Sequence, residues 1–319
     1  MNLIEMVKAA GVVGAGGAGF PTHVKLNTKV EYFIVNAAEC EPLIETDKYL
    51  CRTFADRIIR TIPQIAEAIG ASKKVIALKG AYEKEIAALK DAIREQNSDV
   101  EIFELGYFYP AGDEQTLIQQ VTGRCVPERG LPSDVGCVVD NVGTVLNIAD
   151  ALEGKAVTEK YLSVVGEVEH PIQLRVPIGT PVLECVKAAH PTVSDFALIM
   201  GGPMMGKQLT EQAAMEQAVV TKTTGNILVL PKDHYLFRKA SLPMETVRKQ
   251  TKSACLQCKM CTELCPRYLI GHQIHPNLMM RGLWLEPTIT DNEEYLRMYG
   301  EAANCCSCGV CEMFACPMG

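Results

Sequence analysis

The stretch GVVGAGGAGFPTHVK, Gly11 to Lys25, decides how the amino-terminal half of this chain is read. Gly14, Gly16 and Gly19 fall on the G-x-G-x-x-G spacing of a dinucleotide fingerprint, in which the first glycine ends a strand and the third opens a helix aimed at a pyrophosphate. The surroundings do not fit that fingerprint. Leu3 to Ala10 carries apolar residues at helical spacing, and Phe20-Pro21 reads as a break rather than the start of a helix. The glycines therefore predict a phosphate-sized site built by another architecture.

Working outward, residues 30–150 alternate β-rich and helical runs: 32–35, 55–69, 74–78, 82–95 and 100–103. That order predicts helices packed on a largely parallel sheet. From residue 158 the texture changes to short strands at 161–166 and 173–176 about Glu169-His170-Pro171, a helix over 181–189, and a strand at 227–231. A small mixed β domain fits there. A polar stretch, 232–253, leads into the carboxy-terminal tail. The 319 residues are enough for two or three domains, and 48% apolar with 22% charged residues is ordinary for a globular protein. The net charge of -7, without any cluster of five lysines or arginines, argues against a nucleic-acid partner. Neither a signal peptide nor an apolar run of about 18 residues is present, so no membrane span is expected and the cytoplasm is the expected location.

Of fourteen cysteines, five (Cys40, Cys51, Cys125, Cys137, Cys185) are scattered singly, whereas nine crowd between Cys255 and Cys316. In a reducing compartment such crowding reads as metal ligation. Cys255, Cys258, Cys261 and Cys265-Pro266 form a complete C-x2-C-x2-C-x3-C-P run, the bacterial [4Fe-4S] signature. Cys305, Cys308, Cys311 and Cys316-Pro317 repeat it with one extra residue before the last cysteine. By the two-cluster ferredoxin rule the fourth ligands are exchanged: Cys255, Cys258, Cys261 and Cys316 for one cluster, Cys305, Cys308, Cys311 and Cys265 for the other. A zinc-binding scaffold without redox activity is the alternative reading of paired C-x2-C units, although zinc sites rarely use three evenly spaced cysteines followed by Cys-Pro. Cys306 is left over as a buried or idle thiol, and its adjacency leaves the ligand choice at Cys305 open. His272 and His275 read as surface residues at helical spacing, and Phe314 as packing around a cluster. Two one-electron carriers make a conduit, and if the donor is NADH, a flavin is the usual cofactor that converts a hydride into single electrons.

That requirement returns to the glycine loop. Gly14-Ala-Gly16-Gly17-Ala-Gly19-Phe20-Pro21-Thr22 with Lys25 resembles the FMN- and NADH-binding loop of the flavoprotein subunit of respiratory complex I. Three further blocks recur in the same order: Asn36-Ala-Ala-Glu39-Cys40-Glu41-Pro42, Tyr109-Pro-Ala-Gly112-Asp113-Glu114 and Asp140-Asn141-Val142-Gly143-Thr144. The resemblance implies that Gly14, Gly16, Gly17, Lys25, Asn36 and Asn141 bind FMN and that Phe20, Glu39, Glu41 and Glu114 border NADH, Glu114 being the candidate catalytic group near the nicotinamide. Ala38 and Asp113 depart from that family, which commonly has aspartate and glutamate there.

Over nearly the whole length the chain is similar to the RnfC-like family, which takes in the RnfC component of Rnf complexes, the electron-transfer protein of clostridial proline reductase and, most similar of all, the cobalamin reductases of propanediol-utilisation microcompartments. Further segments that carry the likeness are Gly201-to-Gly206, Thr221-to-Gly225 and Cys261-to-His272. The resemblance implies an α/β fold of three parts: a complex I flavoprotein-like FMN/NADH-binding domain (1–157), a small SLBB-type β-grasp domain (158–231) and a helical two-cluster ferredoxin-like domain (232–319). It implies an NADH-dependent oxidoreductase that moves a hydride from NADH to FMN and single electrons through two [4Fe-4S] clusters to cobalamin. A general NADH:acceptor electron-transfer protein of the Rnf or proline-reductase kind is the alternative. The implied partners are NADH, a corrinoid or corrinoid adenosyltransferase, and a shell protein of a bacterial microcompartment. Family members continue past the second cluster, whereas this chain stops three residues after Cys316, so a shortened form is expected.

Overall fold

The computed structural model describes residues 1–285 and 288–318 and divides into two compact units, one formed by 1–124 and 132–232, the other by 125–131 and 233–319. The first unit contains two sheets. Strands β1 (Tyr32–Asn36), β2 (Lys73–Lys79), β3 (Glu101–Leu105) and β4 (Cys137–Asn141) lie in the order β3-β2-β1-β4, all parallel. Their middle residues, such as Phe33, Ile34, Val35 and Val75 to Leu78, are buried, as parallel strands covered on both faces must be. The helix Ala55–Ile69 lays Ile58, Ile59, Ile62, Ile65 and Ile69 against this core and ends at Gly70, whose φ of 70° suits a residue without Cβ. Helices Glu83–Glu95 and Val142–Leu152 complete the cover.

The second sheet runs β5 (Glu159–Gly166), β6 (Ile172–Pro177), β7 (Phe196–Met200), β8 (Lys207–Leu209) and β9 (Asn226–Pro231), in the order β6-β5-β9-β7-β8. Only the central pair, β5 and β9, is parallel. The helix Val182–Ala188 crosses one face and buries Val182, Cys185 and Val186. This second-first-fifth-third-fourth order around a parallel central pair, with one crossing helix, is the β-grasp arrangement.

Two short elements differ from the sequence reading. Phe20-Pro21 is not a lasting break, because one helical turn, Thr22–Lys25, starts directly after Pro21. Proline has no N–H to lose at a helix start, so it permits the turn rather than forbidding it. Residues 137–141 are a strand at the sheet edge, although Asp140 and Asn141 give that run a polar end.

The second unit is helical, with Tyr235–Ala240 and Met244–Ser253 ahead of the first cysteine run and Pro276–Leu285 and Asn292–Tyr299 between the two runs. Each run closes on a single helical turn, Met260–Glu263 and Val310–Met313. Among the described residues no helix is long and apolar enough to cross a membrane.

Candidate functional site

The strand order fixes where a cofactor can lie. From β1 the chain moves outward through β2 to β3 and returns to place β4 on the other side of β1, so the winding reverses between β1 and β4. Open parallel sheets form their binding crevice at such a reversal, beyond the carboxyl ends of the strands. Asn36 and Asn141 are the last residues of β1 and β4 and are register partners. Both asparagines assigned to FMN by resemblance therefore meet at the reversal.

The glycine loop reaches the same place. An antiparallel bridge between Val13 and Pro21 closes it, and the Gly14 N–H donates to the Phe20 carbonyl at 2.9 Å. The Ala15 N–H donates to Thr144 Oγ1 at 2.9 Å. A Cβ on Gly16 would stand 3.2 Å from the Asn141 side chain, whereas one on Gly17, with φ of 124°, would meet nothing within 4 Å. The loop thus packs one glycine tightly and leaves another facing open space, a cradle suited to a planar ligand approaching the backbone. Asn141 also caps the helix Val142–Leu152 through the Gly143 N–H and donates to Asp47 Oδ2 at 2.6 Å. Asn36 spans the crevice, donating to the Gly112 carbonyl and accepting from the Ala38 N–H.

Lys25 lies one helical turn after the loop. Its Nζ donates to the Val139 carbonyl at 2.7 Å, pairs with Glu114 at 3.1 Å and lies 3.8 Å from Asp140 Oδ1. Asp140 is 2% exposed, and burial, opposed by Lys25 and aided by Glu114, pushes its carboxyl up to about 7. Asp140 Oδ2, Thr22 Oγ1 and Gln115 Oε1 are buried without a hydrogen-bond partner. Three orphaned oxygens beside the lysine and the loop are what a site completed by a bound polar group leaves behind. The residues present fit FMN.

Glu39 and Glu41 part company. The Glu39 carboxyl lies deep although the residue as a whole is half-buried, and burial, then Asp47, raise it well above the usual carboxylate range. Asp47 is raised likewise by burial, against the hydrogen bond from Asn141 and the charge of Lys160. Glu41 instead accepts from the Met204 N–H at 3.0 Å and from the Tyr109 hydroxyl at 3.3 Å, which ties it to the turn between β7 and β8. That turn requires glycine: a Cβ on Gly202 would lie 2.0 Å from Glu41 Oε2. Phe20 is 48% exposed at the loop's edge. Asp113, where the resemblance implies glutamate, caps the helix Glu114–Thr122 through the Thr116 N–H and so fixes Glu114 in the first turn. Sequence reasoning missed Asp47 and Lys160 at this site, and it gave Thr144, the last residue of the fourth block, no role. A lone charge reads as solvated until its neighbours are known.

In the second unit the two cysteine runs have the same backbone. Gln257 and Lys259 in one, and Ser307 and Gly309 in the other, adopt left-handed φ values of 54°, 67°, 55° and 76°. Non-glycine residues rarely do so, and the alternation turns successive N–H groups toward one side, the concave nest that binds anions and iron–sulfur clusters. The Ser307 N–H donates to Cys305 Sγ at 3.3 Å and Gln257 Nε2 to Cys255 Sγ at 3.1 Å, contacts of the kind that tune cluster potentials. Cys311, pushed up to about 11 by burial first and then by Glu312, also feels Cys305, Cys265 and Cys261, and Cys265 in turn feels Cys306 and Cys305. Thiols of the two runs therefore lie close enough to feel one another's charge. Among the described residues no three His, Cys, Asp or Glu side chains converge as they would on a single ion. The donor set and the nests fit two iron–sulfur clusters.

Two expectations for this unit are corrected. His272 is 6% exposed and its Nε2 lies 2.8 Å from the Val126 carbonyl, a partner 146 residues away that local spacing could not reveal. His275 is half-buried against Glu301 at 2.8 Å, and both histidines precede the helix Pro276–Leu285 rather than lying on one. Phe314, read as packing around a cluster, is 65% exposed. Cys306 is half-buried and hydrogen-bonded to Cys308, an interaction that with burial raises the Cys308 thiol.

The sequence matches the Nuo51 FMN-binding domain family over residues 7–150 and the 4Fe-4S dicluster domain family over residues 254–319. FMN and iron–sulfur clusters are accordingly its cofactors, and the zinc scaffold is set aside. It is 45% identical to "Cobalamin reductase PduS" of Citrobacter freundii over 317 residues, 99% of this chain and 68% of that protein. The same protein of Salmonella typhimurium is 44% identical over the same span. A component of the Na(+)-translocating ferredoxin:NAD(+) oxidoreductase complex of Acetobacterium woodii is 34% identical over 88% of this chain and 61% of its own length. Among solved structures, an NAD+-reducing [NiFe]-hydrogenase in the H2-reduced state shares the fold, with a TM-score of 0.66 at 22% identity over 97% of this chain, which spans 59% of that one.

Proposed function

Because the chain belongs to the PduS family of cobalamin reductases, we propose that it oxidises NADH and delivers the electrons, by way of FMN and two [4Fe-4S] clusters, to the cobalt of a corrinoid. The observation that supports this best is the convergence of Asn36, Asn141, Lys25 and the glycine loop at the β1/β4 reversal, in a chain that also carries two cluster-type cysteine nests. When bound, FMN supplies the change from a two-electron donor to single electrons, and each cluster carries one electron at a time.

The chain's own groups have distinct tasks in this reading. Gly14, Gly16 and Gly17 leave the backbone bare for close approach, and Lys25, Asn36 and Asn141 would hold the flavin. Phe20, Glu39, Glu41 and Glu114 would border the nicotinamide. Glu39 keeps its proton over a range where a solvated carboxylate has lost it, so it can donate a hydrogen bond rather than repel an anionic dinucleotide. Cys255, Cys258, Cys261 and Cys316 would ligate one cluster, and Cys305, Cys308, Cys311 and Cys265 the other. Residues 1–157 bind nucleotide, 158–231 form the β-grasp module of SLBB type and 232–319 the two-cluster module. Reduced corrinoid passes to a corrinoid adenosyltransferase, and a microcompartment shell protein houses the enzyme.

Anaerobically purified protein tests the proposal. It is expected to carry about eight irons per chain, to bleach with NADH once supplied with FMN, and to reduce cob(III)alamin in preference to ferredoxin. Absence of iron, or an unbleached spectrum, overturns it; preference for ferredoxin transfers the chain to the Rnf-type alternative.

A further inference from the structure

The nucleotide-binding sheet does not hold its glycine loop alone. Ala15 has its N–H held by Thr144 at 2.9 Å from the helix after β4, but its carbonyl is held by Lys160 Nζ at 3.0 Å, from β5 of the β-grasp sheet. Lys160 is 8% exposed, and burial lowers its affinity for a proton while Asp47 and Glu39 raise it. A buried ammonium aimed at a backbone carbonyl is a costly arrangement unless the group it holds must stay in place. The same module grips the loop at two more points. Lys222 Nζ donates to the Gly11 carbonyl at the loop's start, and Thr223 Cγ2 would lie 3.0 Å from a Cβ on Gly19 at its end. Thr46, which leads into the helix bearing Asp47, donates to the Gly225 carbonyl at 2.8 Å.

We infer that Lys160 and Lys222 of the β-grasp sheet are positioning residues for the flavin, clamping the Gly14–Gly19 loop in its binding conformation through the carbonyls of Ala15 and Gly11. This rests on the reading of that loop as the FMN site. Lys160 adds a second effect, because its positive charge acts on Asp47, which accepts from Asn141, so the phosphate-bearing ligand meets a site with less negative charge. The β-grasp module is then part of the cofactor site rather than a spacer.

The test uses the flavin-free protein and FMN as probe, with FMN affinity read by flavin fluorescence and loop mobility by hydrogen exchange of the peptides spanning residues 11–25. Lys160→Met is expected to weaken FMN binding roughly tenfold or more, the loss of a buried charge-assisted hydrogen bond. Lys222→Met, at a half-exposed position, is expected to weaken it several-fold and to speed exchange in the loop before any flavin is added. Lys160→Arg restores most of the affinity. Lys187→Met, which removes a surface ion pair with Glu184 on the same module, changes neither readout. Wild-type affinity and wild-type loop exchange in Lys222→Met overturn the inference even where Lys160→Met fails to fold. A wild-type protein that binds no FMN overturns the functional reading instead, and the exchange arm still decides the clamp.

Discussion

Gly202→Ala is the sharpest test of how Glu41 is held. The new Cβ would lie 2.0 Å from Glu41 Oε2, 2.5 Å from its carboxyl carbon and 2.6 Å from its Cβ, and ordinary contact begins at 3.4 Å, so the side chain must retreat by about 1.4 Å. No rotation about the last bond alone answers an overlap with three atoms. The retreat breaks the hydrogen bond from the Met204 N–H and the longer one from the Tyr109 hydroxyl. Hydrogen bonds to a charged group contribute about 1.5–3 kcal/mol each when buried, and the partial exposure of Glu41 reduces this, so about 2 kcal/mol is expected for the pair. At roughly 2–4 °C per kcal/mol for a unit of this size, Tm falls by about 4–8 °C. Thermal unfolding of Gly202→Ala, Glu41→Gly and the double variant measures it, and the double variant should be less destabilised than the sum, since Glu41→Gly removes the obstacle. A Tm within about 1 °C of wild type for Gly202→Ala, or strict additivity, refutes the contact.

Other outcomes follow from the same geometry. Asp140 holds its proton up to about pH 7 when folded but loses it near pH 4 when unfolded, so its contribution to stability is present below pH 4 and is lost as pH rises to about 7. Asp140→Asn should therefore gain stability over wild type progressively across that window, read as the difference in Tm at successive pH values; a flat difference refutes it. Lys259→Gly should keep full iron content, because Gly309 already serves at the equivalent left-handed position, whereas Gly309→Val, a β-branched residue at φ of 76°, should cost roughly 1–2 kcal/mol or more and lose iron. Cys308→Ser and Cys265→Ser should each lower iron from about eight to about four per chain, while Cys306→Ser leaves it unchanged; iron loss in Cys306→Ser would make Cys306 the ligand instead of Cys305.

The sequence exposes the elements whose signals are local. The isoleucine spacing of 55–69 matches a helix with those bounds, β1 to β3 lie on the apolar runs, and the cysteine runs announce themselves by spacing. What escapes is whatever depends on a distant partner. Asp47 and the buried Lys160 act on each other from segments more than a hundred residues apart, and each alone looks like a solvated charge. His272 is hidden by Val126 for the same reason. Strand β4 hides because its polar end, Asp140-Asn141, serves the crevice rather than the core. Proline at 21 misleads because it blocks continuation of a helix but not its beginning.

The pairing of Asn36 with Asn141 sets a rule for tolerance to length change. Two parallel strands locked residue against residue carry their terminal amides to one level, and adding one residue within either strand would lift its asparagine by about 3.3 Å and swing it to the opposite side of the sheet. The chain between them, from residue 37 to residue 136, is under no such restriction where it loops at the surface. Natural or engineered relatives should therefore vary freely in the lengths of those connections while the spans of these two strands stay constant to the residue.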